Sequence, residues 1–586
     1  MIAPMRKVTV MALASGEDAT LNALRDAGVL HVETRQAATG EAVKSAATTT
    51  EIEAVQRALT ILGNLDGESG KTSAPVSGDA AALTAKVLDL QARLSALAEE
   101  QTALRVRRAA QLPFGEFDPA SLASLAARGI AVVLFRLPAK RVFPAGEGIA
   151  ALGEQDSYRY GAAFGALPEL PELEILPAPT ESLSSLDTRL AQHEAEAQKL
   201  TEALSDLGGA RTALEAHLAG LAERRTFELV GESLAASGPL VLLDGYCPVE
   251  ALPKLEGVAK VEGWALWIRE PDADDNVPVK LNLPRWLRPI VVLFKGLGIM
   301  PGYREVDVSA VFLLFFSLFF AMLVGDAGYG ALMLAVVLFA RRKKPQAPAQ
   351  PFWLFGIFAV ATIVWGFLTG SFFAIESESL PRFMRGLPWL SVDDNVMWLC
   401  FLIGGVHLTI AHLWNAILLL PSRKALSQVG WIGVVWLMFY IAGNLVVGQA
   451  IPSFMPWVGA IGVLLIVLFM TDPKDFKEEW INHPMLVLDL ISCLVDVISY
   501  IRLFAVGMAS AQIAMNFNAM ALGLPLPVWI KPLGVVLILV LGHGLNIVLG
   551  ALSILVHAVR LNTLEFSNHI GLTWSGQAYQ PFRKTS

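Results

Sequence analysis

Between His483 and Ala521 the chain reads HPMLVLDLISCLVDVISYIRLFAVGMASAQIAMNFNAMA, with Arg502 near the middle. The run is nearly twice the roughly 20 apolar residues that take a helix across a bilayer. A guanidinium at that depth is costly and cannot escape by losing its proton, so it must face other protein or water. N-terminal to it, Asp489, Ser492, Asp496 and Ser499 fall three, four and three residues apart, on one helical face. That face reads as a wet seam leading toward the arginine.

The next apolar run, Pro532 to Ile570, repeats the device. His543, Asn546, Gly550, Ser553, His557 and Arg560 alternate by three and four residues, and Glu565 follows. Serines, asparagines and glycines of this kind also serve as plain interhelical contacts, whereas intramembrane arginines default to function. With 54% hydrophobic and 17% charged residues over 586 positions, a soluble fold is excluded. The long apolar runs nearly all follow Asp307, so a large aqueous domain precedes a polytopic membrane domain. The opening residues lack the apolar core of a signal peptide, so the N-terminal half is expected in the cytoplasm. Cys247, Cys400 and Cys493 support neither a disulfide framework nor a zinc site.

In the aqueous half, the spacing predicts a strand at KVTVMAL, a helix from Asp18 and a strand near GVLHVE. A helix is expected from about Glu51, followed by a flexible break from Gly63 to Asp79. Within that break GESGKT ends like a phosphate loop, but Leu65 stands where glycine is needed. Leu83, Val87, Leu90, Leu94, Leu97 and Leu104, then Leu183 through Leu221 with His193 and Arg211 interrupting, keep a coiled-coil alternation. Strands are expected in GIAVVLFRLP, TFELVG, GPLVLLDGYCP and KVEGWALWIRE. The expected fold is thus a proximal α/β lobe (about 1–50 and 226–290), an antiparallel coiled-coil hairpin (about 51–110 and 181–225) and a distal lobe (about 111–180). An all-α membrane domain over 291–586 ends in two long helices.

Basic Lys280–Arg304 reads as a segment lying on the anionic cytoplasmic face. Spans are expected at about 308–324, 327–342, 352–374, 396–420, 428–450, 456–471, 484–520 and 532–570, with Asp326 in a turn from Gly325 to Gly330. Arg341, Arg342, Lys343, Lys344, Arg423, Lys424, Lys474, Lys477, Arg583 and Lys584 fall on one side of this eight-span arrangement, which predicts cytoplasmic termini. The loop from Glu376 to Asp394 is acidic on the other side. His407 and His412, five residues apart, lack metal spacing and are expected to hydrogen-bond between helices.

GDAGYG at 325–330, DVISYIRLFAVGMASAQIA at 496–514 and GHGLNIVLGALSILVHAVRLNTLEF at 542–566 resemble the membrane stator subunit, subunit a or I, of V-type and archaeal-type rotary ATPases. The resemblance covers the whole chain and favours the bacterial and archaeal branch. It implies two essential arginines, matched by Arg502 and Arg560, facing a rotating ring of small proteolipid subunits whose carboxylates carry protons. It further implies that His557 lines the path and that Asp326 and Asp496 lie near two half-channels. Asp489, Ser492 and Asp496 then fit one half-channel, with His557 and Glu565 on the path toward the other and Ser499 and His543 also among the proton-path residues. Where some relatives carry an acid in that span, this chain has Gly550. The implied partners are the ring, peripheral-stalk and central-stalk subunits, the ATPase head indirectly, and membrane lipid. No cofactor, metal or nucleic acid is expected, and the implied location is the plasma membrane. The alternatives are an ion-coupled secondary transporter, which predicts inverted repeats, and a membrane scaffold without an ion path.

Overall fold

The computed structural model describes residues 2–33, 43–69, 78–144, 146–164, 172–375, 380–472, 474, 477 and 480–584. They form two compact units, one of residues 1–10, 29–31 and 244–581, the other of 11–28, 32–243 and 582–586.

In the second unit, helix α1 (Glu17–Ala27) is followed by the long helices α2 (Val43–Ser69) and α3 (Ala80–Gln111). After α4 (Pro119–Ala127) and a four-stranded sheet come α5 (Leu183–Asp206) and α6 (Arg211–Glu232). Helix α3 packs along α5 and α2 along α6. Their apolar seam buries Ile52, Val55, Leu83, Val87, Leu90, Leu204, Leu214 and Leu221, and Leu104, Leu186 and Leu190 bury one another in a second, smaller cluster. The two polar interruptions stay at its edge: His193 lies 3.6 Å from Glu100, and Arg211 Nε donates to Glu215 at 3.0 Å.

Two sequence expectations fail here. Helix α2 begins eight residues before Glu51 and continues through Gly63 to Ser69. The rest of the expected break, 70–77 with the GKT of GESGKT, lies outside the described residues. TFELVG is the last part of α6, not a strand. Its β-prone Thr, Phe and Val are overridden inside a helix in which Val230 is buried, Arg224 pairs with Glu228 at 2.8 Å, and the Thr226 hydroxyl donates to the Ala222 carbonyl at 2.8 Å.

The sheet between α4 and α5 is formed by β3 (Val132–Pro138), β4 (Ile149–Gln155), β5 (Tyr158–Phe164) and β6 (Glu174–Leu176). Its order is β4-β5-β3-β6, and Val132 to Pro138 run antiparallel to Tyr158–Phe164. The other sheet uses β1 (Met5–Leu13), β2 (His31–Val32), β7 (Ala235–Ser237), β8 (Leu240–Pro248) and β9 (Ala265–Arg269). Its order is β2-β8-β1-β9, with β7 on β8. Chain segments more than 200 residues apart therefore share one sheet.

In the first unit, helix α7 (Leu252–Glu262) precedes β9, and α8 (Ile290–Leu297) lies within the basic segment. In that segment Leu283, Leu287, Ile290 and Phe294 are buried, while Trp286 stays exposed. Phe294 meets Phe312 and Trp574 edge to face.

The membrane helices follow as α9 (Ser309–Val324), α10 (Ala327–Lys343), α11 (Ala349–Thr369), α12 (Asp393–Leu419), α13 (Lys424–Val447) and α14 (Met455–Phe469). Then come α15 (Asn482–Ser499), α16 (Ile501–Leu522), α17 (Lys531–Ser553) and α18 (Ser567–Ile570). Among the described residues five helices are long and apolar enough to cross a membrane: 349–369, 393–419, 424–447, 483–522 and 531–570, the last two 40 residues each. Helices α9 and α10 meet that test only together, at a bend of 119°, and α14 has 15 residues. The chain is a membrane protein.

The turn at the α9–α10 bend is shorter than Gly325–Gly330. Gly325 takes φ +70°, a region that favours glycine. Asp326 then caps α10, its Oδ1 accepting from the N–H groups of Gly328 and Tyr329 at 2.7 and 3.2 Å. Helices α13 and α14 touch backbone to backbone. A Cβ on Gly430 would stand 2.5 Å from the Gly462 carbonyl, so small residues set this crossing, as is usual where lipid removes the hydrophobic drive between helices.

Candidate ion-conducting site

Three polar groups line up along the two 40-residue helices. At the centre Arg502, at the start of α16, donates from Nε to the Ser499 carbonyl at 2.8 Å and from Nη2 to Glu565 Oε1. Arg560 Nε lies 3.3 Å from the same oxygen. The Glu565 side chain is 3% exposed, that of Arg502 23% and that of Arg560 55%. Two guanidiniums on one buried carboxylate leave a net positive charge, and the more exposed guanidinium remains open on one side. Ser499 contributes its backbone carbonyl rather than its hydroxyl. His557 stands near enough to feel both arginines.

The pairing of Glu565 with Arg560 depends on local helix geometry. Around Arg560 the last long helix widens into two π-helical stretches, Ile554–Ala558 and Leu561–Phe566. Residues five apart face the same way in such turns, as i and i+4 do in an α-helix. The sequence stripe assigned Glu565 to the path beyond the arginines; the structure makes it the anion that gathers them.

On the Asp489 side, residues Asp489, Ser492, Asp496, His412, Gln428 and His569, among others, line a cavity of about 540 Å³. The seam of acids and serine read from the sequence faces this one space. His569 Nε2 lies 3.1 Å from Asp496 Oδ2, and its Nδ1 lies 2.9 Å from His412 Nε2. His412 Nδ1 contacts Gln428 Oε1 at 2.8 Å. His412 and His407, which contacts the Tyr500 hydroxyl at 2.9 Å, both hydrogen-bond between helices as expected. His569 was missed: it lies past the striped segment, 73 residues from Asp496, and helical spacing cannot reveal such a partner.

On the other side of Arg502 the polar groups close up. Asp326 Oδ2 accepts from the Ser371 hydroxyl at 2.8 Å and the Ala374 N–H at 3.0 Å, besides its two cap bonds. The Tyr329 hydroxyl lies 2.6 Å from His543 Nδ1, and His543 Nε2 lies 3.1 Å from Asn518 Oδ1. Asn546 donates to the Tyr329 hydroxyl and the Ser510 carbonyl, both at 3.1 Å. The cavity beside Asp326, Tyr329, Ser510 and Asn546 measures about 10 Å³. Tyr329, Ser510 and Asn518 were not singled out in the sequence, although GDAGYG contains the first. By helical rise, Asp496 and Ser510 stand roughly 21 Å apart with Arg502 between them. Among the described residues no group of three His, Cys, Asp or Glu side chains is placed to hold a metal.

No family model matches the chain. Over 634 aligned residues covering 100% of both chains it is 32% identical to V-type ATP synthase subunit I 1 of Treponema pallidum. It is 32% identical over 366 residues to V-type ATP synthase subunit I of Borreliella burgdorferi, covering 58% of this chain and 60% of that one. A-type ATP synthase subunit I of Archaeoglobus fulgidus is 26% identical over 425 residues, 63% of this chain and 62% of its own. A solved cytoplasmic N-terminal domain of subunit I, homologue of subunit a, of V-ATPase covers 45% of this chain and 99% of its own at 14% identity, with a TM-score of 0.20, too low to bear on the fold.

Proposed function

This chain belongs to the V-type and A-type ATP synthase subunit I family, the membrane-sector stator subunit of a rotary complex, and from that premise we propose how it moves protons. Arg502 and Arg560 face a ring of small proteolipid subunits, and two offset half-channels lead to them from opposite sides. The observation that carries this reading is the net positive triad of Arg502, Arg560 and Glu565, with a roomy acidic cavity on one side and a compact polar network on the other.

The physics is that of a fixed cation beside a passing acid. A guanidinium opposite a ring carboxylate favours its ionised form, so a proton carried by the ring must leave before that carboxylate passes. Guanidinium stays charged and cannot relay the proton itself, which blocks leakage between the half-channels. Glu565 cancels only one of two positive charges, so the triad still calls for a carboxylate from a neighbour. Asp489, Ser492 and Asp496, joined by His569 and His412, form the first half-channel. Asp326, His543 and the Tyr329–Asn546 network, with His557, border the second.

The remaining assignments follow the same reading. The chain is a non-catalytic component with eight membrane crossings, α9 and α10 counting as two and α14 as one. The basic loops and both termini lie in the cytoplasm beneath the plasma membrane. Residues 1–290 form the cytoplasmic domain, whose paired helices are an antiparallel coiled-coil hairpin between two lobes that meet peripheral-stalk and central-stalk subunits. The catalytic head is reached only indirectly. A secondary transporter is not favoured, because the relatives are ATP synthase subunits and, apart from Asp326 at the α9–α10 turn, the charges within the spans gather in the last two long helices rather than in matching halves.

The test is ATP-driven acidification of vesicles containing the whole complex. Arg502→Ala abolishes pumping while ATP hydrolysis by the complex persists; retained pumping would rule the assignment out.

A further inference from the structure

Helices α10 and α11 and their link carry four positive charges, Arg341, Arg342, Lys343 and Lys344, and from Ala327 to Ile375 there is no Asp or Glu. Among the described residues, none of the four makes a salt bridge. Four clustered cations without an acid repel one another, and an anion from outside the chain relieves that repulsion.

Beside them an apolar groove of about 640 Å³ runs between α10 and α11, lined by Leu334, Leu338, Phe352, Trp353, Ile357 and Val360 and closed at one end by Arg341. Arg341 is held there: Nη1 donates to the Ala347 carbonyl at 2.8 Å, and its guanidinium carbon stands 5.4 Å from the centre of the Phe352 ring. Lys343 Nζ lies 5.0 Å from the Phe339 ring, and Arg342, Lys343 and Lys344 are exposed. Trp353 is 67% exposed. The groove is therefore apolar along its length and basic at one end only. That is the complement of an amphiphile with an acyl chain and an anionic head. A partner helix would match the apolar length but would have to cover several unpaired cations.

We infer that the α10–α11 groove is a binding site for an anionic phospholipid, one acyl chain lying along Leu334, Leu338, Trp353 and Val360 and its phosphate meeting Arg342, Lys343 and Lys344 beside Arg341. Basic residues at a membrane surface favour anionic lipid through charge alone, and a groove that also takes the chain fixes the lipid's position. The site stands apart from the arginine triad, and its occupancy does not depend on proton transport.

Trp353 supplies the reporter. The full-length chain is titrated in mixed micelles with dibrominated phosphatidylglycerol or dibrominated phosphatidylcholine, and the quenching due to Trp353 is obtained by subtracting the Trp353→Phe variant. Phosphatidylglycerol reaches half-maximal Trp353 quenching at about tenfold lower mole fraction than phosphatidylcholine. Replacing three exposed cations, Arg342→Gln, Lys343→Gln and Lys344→Gln together, brings the two lipids within about twofold. Equal quenching in the unaltered chain means ordinary lipid contact and overturns the site. Absence of Trp353 quenching by either lipid means that protein fills the groove, and overturns it too.

Discussion

Asp496 and Asp326 sit on opposite sides of Arg502, each among histidines, asparagines and hydroxyls, yet their surroundings differ in kind. Around Asp496 the side chains stand back from a space of about 540 Å³, room for many waters. Around Asp326 they close on about 10 Å³, near the least that holds one water. Asp326 accepts four hydrogen bonds from its own chain, two on each oxygen. That fills its acceptor capacity. The only hydrogen-bond partner found for the Asp496 side chain among the described residues is His569. One carboxylate is a tie that holds a helix start to a neighbouring loop; the other is left to exchange with solvent. Similar residues thus make a wet vestibule or a sealed joint, according to how many backbone N–H groups reach them.

The comparison breaks first at the divider between the two sides. Glu565→Gln removes the anion shared by Arg502 and Arg560 and leaves the mostly buried Arg502 without its partner; we expect a loss of about 3 kcal/mol, below the full cost of breaking a buried pair because Arg560 is half exposed, in thermal unfolding of the detergent-solubilised chain. An unchanged unfolding temperature would mean that the triad holds nothing together. Accessibility sharpens the contrast directly. In a Cys493→Ala background, Ser492→Cys reacts with a small water-soluble thiol reagent about 100-fold faster than Ser510→Cys, because the thiolate forms readily only where water enters. Comparable rates would erase the distinction between the two cavities. A pair of isosteric changes then separates the roles: Asp326→Asn costs about 2 kcal/mol by unbalancing a buried, fully bonded carboxylate, whereas Asp496→Asn stays within about 0.5 kcal/mol.

The smallest effect concerns what holds the segment just past His569. Glu305 accepts from the Thr573 N–H and hydroxyl at 2.7 and 2.5 Å and from the Gly302 N–H at 2.6 Å. Burial opposes its ionisation, but these donors together hold its carboxyl below the usual glutamate range. A lowered folded-state pKa gives stability that is present above the unfolded value of about 4.3 and is lost as pH falls through the folded value. Glu305→Gln is therefore slightly less stable than the unaltered chain at pH 7, and the gap closes as unfolding is followed into acid. A gap that widened in acid would contradict the assignment.

Much of this was legible in the residues themselves. A 3.6-residue period is enough to bring Asp489, Ser492 and Asp496 onto one face, and the structure gives that face one cavity. Apolar length alone announced both 40-residue helices, and strands such as KVTVMAL and GPLVLLDGYCP followed from β-branched and aliphatic runs. What stayed hidden was of two kinds. Partners far apart in sequence, such as His569 for Asp496 or Asn518 for His543, become neighbours only after helices pack. Segments whose local preference loses to a tertiary face, such as TFELVG at the end of α6, mislead any reading by propensity. The tightness around Asp326 belongs to the first kind, since its donors Ser371 and Ala374 come from the chain beyond α11.

The widened turns at Ile554–Ala558 and Leu561–Phe566 carry one last implication. On an ideal helical wheel Arg560 and Glu565 would point about 140° apart; here they meet because the coil is locally underwound. Removing a single amino acid from that stretch would restore ordinary winding while leaving every charged group in the chain. Taken from between Arg560 and Glu565, that residue would leave the pair four apart and still on one face, so what the widened turn sets is the phase of the helix beyond it rather than the pairing itself.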